Sequence, residues 1–225
     1  MQLDRIVCLA NSYKHENRCV AGIGLSSRRW VRLVADKASG SIARERTCFS
    51  DGSEAAILDV FEAEIAEPCG SQVHPEDVLV TDLKWKKIRR FDQPEDLELL
   101  ATQVNNGPEI LGGCGDRACS GREHPASITS SLELVHPEDL WWWVREEKGK
   151  RRNRALFRVG NAGRVRYDLA VTDPRWLESL QFLTAGIYPH SYFFRGTVPP
   201  TYLTISLSEA YENFHYKLVA GVIVA

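Results

Sequence analysis

The chain has 225 residues with 44% hydrophobic and 26% charged residues and a formal net charge of -2, a composition typical of globular proteins that excludes wholesale disorder. It contains no run of 18 apolar residues, which excludes a membrane-spanning helix, and its first ten residues lack the basic start and long apolar centre of a signal peptide, so we expect a cytoplasmic protein. Residues 145–166 hold nine Lys or Arg against two Glu, which predicts one basic face.

The first 34 residues predict a β-meander. Leu3 to Leu9, Arg18 to Leu25 and Arg29 to Val34 are rich in Val, Ile, Leu and Trp and are separated by polar turns. Ala55 to Ile65 fits a strand or an amphipathic helix, and we favour the strand. Asp92 to Val104, with Pro94 near its start, predicts a short helix.

A segment rich in Gly, Asn, Cys and Ser extends from Asn105 to Pro125 and is typical of a loop or linker. We therefore place a first domain at residues 1–107, a linker at 108–127 and a second domain at 128–225. Six cysteines in a chain of this size predict free thiols in a reducing compartment. Only Cys114 and Cys119 lie close together, and whether they bind a metal ion stays open, since no second pair follows at zinc-site spacing.

The second half predicts further strands. They are Ser131 to Val144, which fits a strand or a strand with a helical turn, Ala155 to Val159, Arg164 to Val171, Tyr202 to Leu207 and Tyr216 to Val224. The tetrapeptide Gly160 to Gly163 is typical of a hairpin turn. Asp173 and Pro174 predict the cap and first residue of a short helix that continues to Phe182.

One short sequence occurs in both halves of the chain. Val-His-Pro-Glu-Asp occurs at 73–77 and again at 135–139, and Pro followed by two acids is typical of the first turn of a helix. The histidines and acids could also form a metal or acid–base site, but we favour the helical interpretation. Val80 to Trp85 also resembles Val171 to Trp176. The spacing between the two similarities differs between the halves, so the sequence leaves open whether they mark a duplication.

The most distinctive run is Ser12 to Ile23, which reads Ser-Tyr-Lys-His-Glu-Asn-Arg-Cys-Val-Ala-Gly-Ile and is followed by Trp30-Val31-Arg32. This pattern resembles the predicted dual OB-domain proteins of bacteria, and the likeness extends to Tyr167 to Trp176 and to the last two strands. The resemblance implies two OB-like barrels that bind nucleic acid as a sensing or targeting module in bacterial conflict and phage-defence systems. It does not imply an enzyme.

Three groups of residues are candidate nucleic-acid contacts, in which cations meet phosphates and aromatic rings stack on bases. The first group lies in the distinctive run and the strand after it, and comprises Ser12, Lys14, Arg18, Trp30 and Arg32. The second interleaves cations with aromatic residues between Lys84 and Phe91, and comprises Lys86, Lys87 and Arg89. The third follows the triple tryptophan at 141–143, and comprises Trp142, Lys150, Arg151 and Arg152. For each group the alternative is structural: a core aromatic residue beside solvated cations.

We therefore predict a mostly β fold with two OB-like β-barrels in tandem and short accessory helices. Its function is nucleic-acid binding, single-stranded or structured, with DNA and RNA not distinguished, and with no catalytic residue, cofactor or metal assigned. Two alternatives remain open. One is a metal-dependent nuclease or nucleotide hydrolase, because scattered acids such as Asp82, Asp168 and Asp173 can converge in a fold. The other is an adaptor that holds a larger effector protein.

Overall fold

The computed structural model describes residues 2–14, 16–36, 40–119, 129–160 and 165–225. The chain divides into two compact units, Met1–Thr102 with Thr129–Ser131, and Gln103–Ile128 with Leu132–Ala225. The domain limits expected from composition stay a prediction, because part of the Gly- and Cys-rich segment between them lies outside the described residues.

The first unit contains a closed five-stranded barrel. Its strands are β1 (Gln2–Lys14), β2 (Asn17–Gly24), β3 (Trp30–Val34), β4 (Asp59–Pro68) and β5 (Asp77–Val80). They follow the order β1-β2-β3-β5-β4, and β4 pairs with β1 to close the barrel. β3 and β5 are parallel, while the other neighbours are antiparallel. The meander of β1 to β3 and the strand within Ala55 to Ile65 are confirmed.

β1 pairs with two neighbours and contains an irregularity. Its first half pairs with β4 and its second half with β2, with a register shift between Cys8 and Ala10. A Cβ atom on Gly22, opposite this register shift, would lie 1.9 Å from the carbonyl oxygen of Val7. The glycine of the distinctive run is therefore required by the close approach of two strands.

The remaining elements of the first unit lie outside the barrel strands. β6 (Lys86–Arg90) pairs with β4, and α1 (Pro94–Thr102) confirms the predicted helix. A 3₁₀ turn at Arg44–Thr47 lies between β3 and β4.

The second unit repeats the same strand order. Its elements are β7 (Val104–Asn105), β8 (Arg117–Cys119), β9 (Leu132–Val135), β10 (Glu138–Glu147), β11 (Lys150–Arg158), β12 (Arg166–Val171), α2 (Pro174–Leu180), β13 (Gly186–Pro189), a 3₁₀ turn at His190–Phe193, β14 (Thr201–Tyr211) and β15 (Phe214–Val224). The inner strands follow the order β10-β11-β12-β15-β14, with β12 and β15 parallel. The first barrel closes because its first and fourth strands, β1 and β4, pair with each other. In the second unit the corresponding strands are β10, which pairs with β13, and β14, which pairs with β9. The predicted fold class, mostly β with tandem OB-like units and two α-helices, is confirmed.

The start of α2 matches the prediction from Asp173 and Pro174. The Asp173 carboxylate accepts hydrogen bonds from the backbone N–H groups of Arg175 and Trp176, and its second oxygen accepts one from Val222 in β15. The cap therefore also ties the helix to the sheet. The hairpin turn predicted at Gly160 to Gly163 falls largely on residues 161–163, which lie outside the described residues.

The helical interpretation of the repeated Val-His-Pro-Glu-Asp is wrong. The first copy leads into β5, the fifth strand of its barrel, and the second leads into β10, the first strand of the other unit. Acids after a proline can begin a helix, but here Pro75 and Glu76 form a turn before β5, and Glu138 and Asp139 are the first residues of β10. The first copy leads into the fifth strand of its unit and the second leads into the first strand of its unit. The repeated sequence therefore does not correspond to a structural repeat.

No helix among the described residues is long and apolar enough to cross a membrane. Cys19, Cys48 and Cys114 are free cysteines, as expected.

Candidate nucleic-acid interface

The cations of the distinctive run are engaged inside the first unit. Arg18 is only 5% exposed, and its Nε lies 2.5 Å from Oε1 of Glu54. Its guanidinium also covers the Tyr13 ring at 4.5 Å. Because Arg18 is paired with an acid and shielded from solvent, it is poorly placed to bind a phosphate. We therefore do not include Arg18 among the proposed nucleic-acid contacts.

Arg32 is paired in the same manner. It is buried on β3 and forms two hydrogen bonds with Asp77 on β5, of 2.5 and 2.8 Å. Because the two residues face each other in the parallel strand pair, this bidentate bond joins β3 to β5. Arg32 therefore joins two strands of the barrel, and its burial and pairing argue against a phosphate contact.

The other three residues of the first group are also held by the fold. Ser12 is buried opposite Cys19 in the β1–β2 ladder. Lys14 is half-buried and donates from Nζ to the carbonyl oxygen of Gly40 at 3.1 Å. Trp30 is half-buried at the start of β3. The first group thus presents no continuous row of free cations beside an open ring.

The second group offers charge without an aromatic platform. β6 is exposed along its whole length, but Lys87 pairs with Asp59, and Arg89 pairs with Asp96 of α1. The aromatic residues on either side, Trp85 and Phe91, are buried. In the part of the chain that the structure describes, Lys86 is the member of this group that makes no ion pair.

The triple tryptophan is divided by strand alternation. Trp142 has no exposed surface and packs against Trp176 at 4.8 Å between ring centroids. Its Nε1 donates to Nδ1 of His190, and burial lowers the pKa of that imidazole to about 4, so the ring stays neutral and accepts the bond. Trp142 is a core residue and cannot stack on a base in this fold. Trp141 and Trp143 point to the opposite side of β10, and Trp141 is 37% exposed.

The outward side of β13, β10, β11 and β12 forms a continuous surface, which we call the tryptophan–arginine face. Its inward counterparts, among them Val144, Phe157 and Leu169, lie in the core, so the alternating residues between them point outward. The face consists of Asp139, Trp141, Trp143, Arg145, Arg152, Arg154, Leu156, Arg158, Arg166, Asp168 and Ile187.

Strand register arranges this face in cross-strand rows. Trp141 lies opposite Leu156, which in turn lies opposite Asp168. The next row contains Trp143 and Arg154. Arginine pairs lie beyond these rows at both ends, Arg145 opposite Arg152 at one end and Arg158 opposite Arg166 at the other. A central aromatic and aliphatic strip is therefore flanked by cations.

Five arginines face two acids on this surface. Arg158 pairs with Asp139 at 2.8 Å, and Arg154 pairs with Asp168. Arg145 covers the Trp143 ring at 4.4 Å and lies 3.4 Å from Glu147. Arg152 and Arg166 are exposed and form no ion pair with a described residue, which leaves two free guanidinium groups at opposite ends of the face.

Trp141 is held in place by Asp139. The indole Nε1 donates to the Asp139 carboxylate at 3.0 Å. This bond, with the nearby guanidinium groups of Arg158 and Arg166, lowers the pKa of Asp139 below its ordinary value, so the acceptor stays ionised. A cleft of about 560 Å³ opens beside this pair, and its lining includes Leu156, Asp168 and Ile187.

The three cations of the third group have separate roles. Lys150 is exposed directly after the β10–β11 turn, in which Lys148 and Gly149 both have positive φ, as a two-residue hairpin requires. Arg151 donates to the carbonyl oxygens of Leu180 and Leu183 at the end of α2, so it supports that helix. Of the three, Arg152 reaches the tryptophan–arginine face.

Of the residues on this face, Arg158 and Arg166 were not predicted from the sequence, and of the triple tryptophan only Trp142 was assigned as a contact. A signal was present, because the alternation of β10 predicted that Trp142 points away from its two neighbours. Which side is the core depends on the partner strands, and the pairing of Arg158 with Arg166 depends on the β11–β12 register.

The acids named for a nuclease do not form a metal site in the described part of the chain. No group of three or more His, Cys, Asp or Glu side chains there could hold a metal ion. Asp82 pairs with Arg46 at 2.8 Å, and Asp173 caps α2. Cys114 is exposed, while the side chain of Cys119 lies outside the described part, so this pair stays untested as a metal site.

Comparison with known families gives a match to a model described as a dual OB-containing domain, over residues 4–222. No curated protein and no solved structure matches the chain.

Proposed function

We propose that this chain, which belongs to the family of dual OB-containing domains, binds single-stranded or structured nucleic acid through the tryptophan–arginine face of its second unit. OB folds bind oligonucleotides on the face of their second and third strands and on the adjoining loops. In the second unit the second and third strands are β11 and β12. The adjoining loop between β10 and β11 contains Lys148, and Lys150 follows it as the first residue of β11. The face thus lies at the position that this fold uses for ligands.

The single observation that carries the proposal is an exposed indole between two exposed arginines that form no ion pair with a described residue. Trp141 offers a flat surface on which any base can stack, and such contacts contribute about 1–3 kcal/mol per base. Arg152 and Arg166, at the two ends of the face, supply charge for phosphates, whose binding releases condensed counterions. Bases inside a duplex are already stacked, so the accessible ligands are single strands, loops and ends.

The wider role is part of the same proposal. A binding module of this kind would act as a sensing or targeting component of a bacterial defence system, with a larger effector protein as its partner. The free cysteines among the described residues, Cys19, Cys48 and Cys114, support a reducing, cytoplasmic setting. An adaptor without affinity for nucleic acid is the competing function, and it predicts no salt-sensitive binding.

The test is a titration of the full chain with labelled single-stranded and duplex DNA and RNA at two salt concentrations, compared with the double variant Arg152→Ala/Arg166→Ala. We expect the variant to bind more weakly and to reduce the slope of log K against log salt by about 1.4, or about 0.7 for each lost phosphate contact on a single strand.

The matched control is Arg28→Ala/Arg29→Ala, which removes the same charge from the exposed turn before β3 of the first unit. It should change the salt slope little. An unchanged affinity in the Arg152/Arg166 variant, or an equal loss in both double variants, contradicts the assignment of the face.

A further inference from the structure

The tryptophan–arginine face contains two acids, Asp139 and Asp168, where a purely phosphate-binding surface would have none. A carboxylate repels phosphate, so an acid retained beside the exposed Trp141 needs another role. One role is internal pairing, and the other is to accept hydrogen bonds from a ligand. The contacts of the two acids differ in this respect.

Both oxygens of Asp139 are occupied. Oδ1 accepts from the indole of Trp141 at 3.0 Å, and Oδ2 accepts from Arg158 at 2.8 Å. Asp139 therefore orients the platform and one cation. It has no carboxylate oxygen left without a partner.

Asp168 has a donor among the described residues at one of its two carboxylate oxygens. Its Oδ1 accepts from Nε of Arg154, and the second nitrogen of that guanidinium donates to the backbone carbonyl of Asp168 at 2.5 Å. No described residue donates to Oδ2, and the side chain is 45% exposed. Arg154 thus holds the carboxylate through Oδ1. Asp168 lines the cleft, where Oδ2 can accept a hydrogen bond from a ligand.

The positions of Trp141, Leu156 and Asp168 suit a base that lies across the row. The three residues are successive cross-strand neighbours, and such neighbours have Cβ atoms about 5 Å apart. The Cβ atoms of Trp141 and Asp168 are therefore about 10 Å apart, with the side chain of Leu156 between them. A base stacked on the indole and lying over Leu156 would have its far edge on the side of Asp168, which lines the same cleft.

We propose that this cleft selects bases with an exocyclic amino group, such as cytosine, over uracil and thymine, and that Asp168 is the residue that distinguishes them. The inference rests on the proposed function and assigns its base preference. A carboxylate accepts from the amino group of cytosine. Uracil has a carbonyl oxygen at the same position, and two acceptors facing each other repel.

The experiment measures binding of the full chain to labelled oligo(dC) and oligo(dU) of about 12 nucleotides, a length within the range covered by OB folds, at neutral pH and fixed salt. The two ligands have the same backbone and ring size. We expect oligo(dC) to bind roughly 5-fold or more tightly than oligo(dU). In Asp168→Asn this ratio should fall toward one, because an amide donates to the uracil carbonyl as well as accepting.

The matched control is Glu178→Gln, which makes the same change of charge at an exposed residue of α2 outside the face. This variant should keep the preference for oligo(dC). Asp168→Ser, which also both donates and accepts, provides a second variant if Asp168→Asn is poorly folded by circular dichroism.

The outcomes separate the inference from the proposed function. Equal binding of oligo(dC) and oligo(dU) by the unchanged chain, or a preference that survives both substitutions at Asp168, overturns the base assignment and leaves nucleic-acid binding intact. Absence of salt-sensitive binding to either oligonucleotide overturns the proposed function itself.

Discussion

Trp141 and Trp142 are adjacent in sequence and have opposite surroundings. Trp142 is enclosed by Trp176 and His190, whereas Trp141 is anchored by one hydrogen bond to Asp139 and exposes a third of its surface. Indole chemistry is the same in both. Its use for packing or for ligand stacking is set by which side of β10 the residue faces.

Replacing Trp141 with Ala should weaken oligonucleotide binding by roughly 5- to 100-fold, the loss expected for one stacked base. The free energy of unfolding should change little, because the side chain is partly exposed. Fluorescence anisotropy gives the affinity, and urea denaturation gives the stability.

Phe182→Ala is the control for this change, since Phe182 is an aromatic residue outside the face that is 84% exposed. It should bind oligonucleotide normally. An equal loss of affinity in both variants would show that exposed aromatic residues act nonspecifically.

The barrel of the first unit depends on pairing between elements that are distant in sequence. The parallel contact of β3 with β5 is joined by Arg32 and Asp77, which are 45 residues apart. Both are buried, so each charge requires the other. The cationic motif that suggested phosphate binding is thus part of the barrel wall.

Arg32→Met should lower the free energy of unfolding by about 3–5 kcal/mol, because it leaves the Asp77 carboxylate buried without its partner. The double variant Arg32→Met/Asp77→Leu should lose less than the single one, since an apolar pair carries no uncompensated charge. Urea denaturation of the variants completes a double-mutant cycle with Asp77→Leu alone. Additive losses would mean that the pair is not coupled.

At the scale of the whole molecule, the chain contributes to the first unit twice. After residues 103–128, Thr129–Ser131 returns to that unit. Ser131 is buried, where its backbone N–H and its hydroxyl donate to the two oxygens of Glu76. Nδ1 of His74 lies 2.6 Å from the same hydroxyl. Part of the His-Pro-Glu-Asp motif therefore anchors a returning segment.

Ser131→Ala should destabilise the first unit by about 1–3 kcal/mol, because a buried carboxylate oxygen loses its hydroxyl donor. Hydrogen exchange of the amides in β5, which follows Glu76 directly, should become faster. Thr129→Ala, an exposed change in the same segment, should leave this exchange unchanged. Equal exchange in the two variants would contradict the anchoring role.

Much of the fold could be predicted from local chemistry. Alternating Val, Ile and Leu specified the strands of the opening meander, and Asp173 with Pro174 specified the start of α2, because these signals act between residues close in sequence. The distinctive run from Ser12 identified the family over nearly the whole chain. Local chemistry could not show that the cations in that run are neutralised, since Arg18 and Arg32 meet their acids across 36 and 45 residues.

The candidate site depended on tertiary structure for the same reason. The sequence determined that Trp142 and its two neighbours face opposite sides, because side chains alternate along any strand. Only the packing of Trp142 against Trp176 and His190 decided which side of β10 is buried. Only the register of β11 with β12 brought Leu156 beside Asp168 and Arg158 beside Arg166. Composition and local pattern determined the elements, whereas long-range pairing decided which charges remain free to bind a ligand.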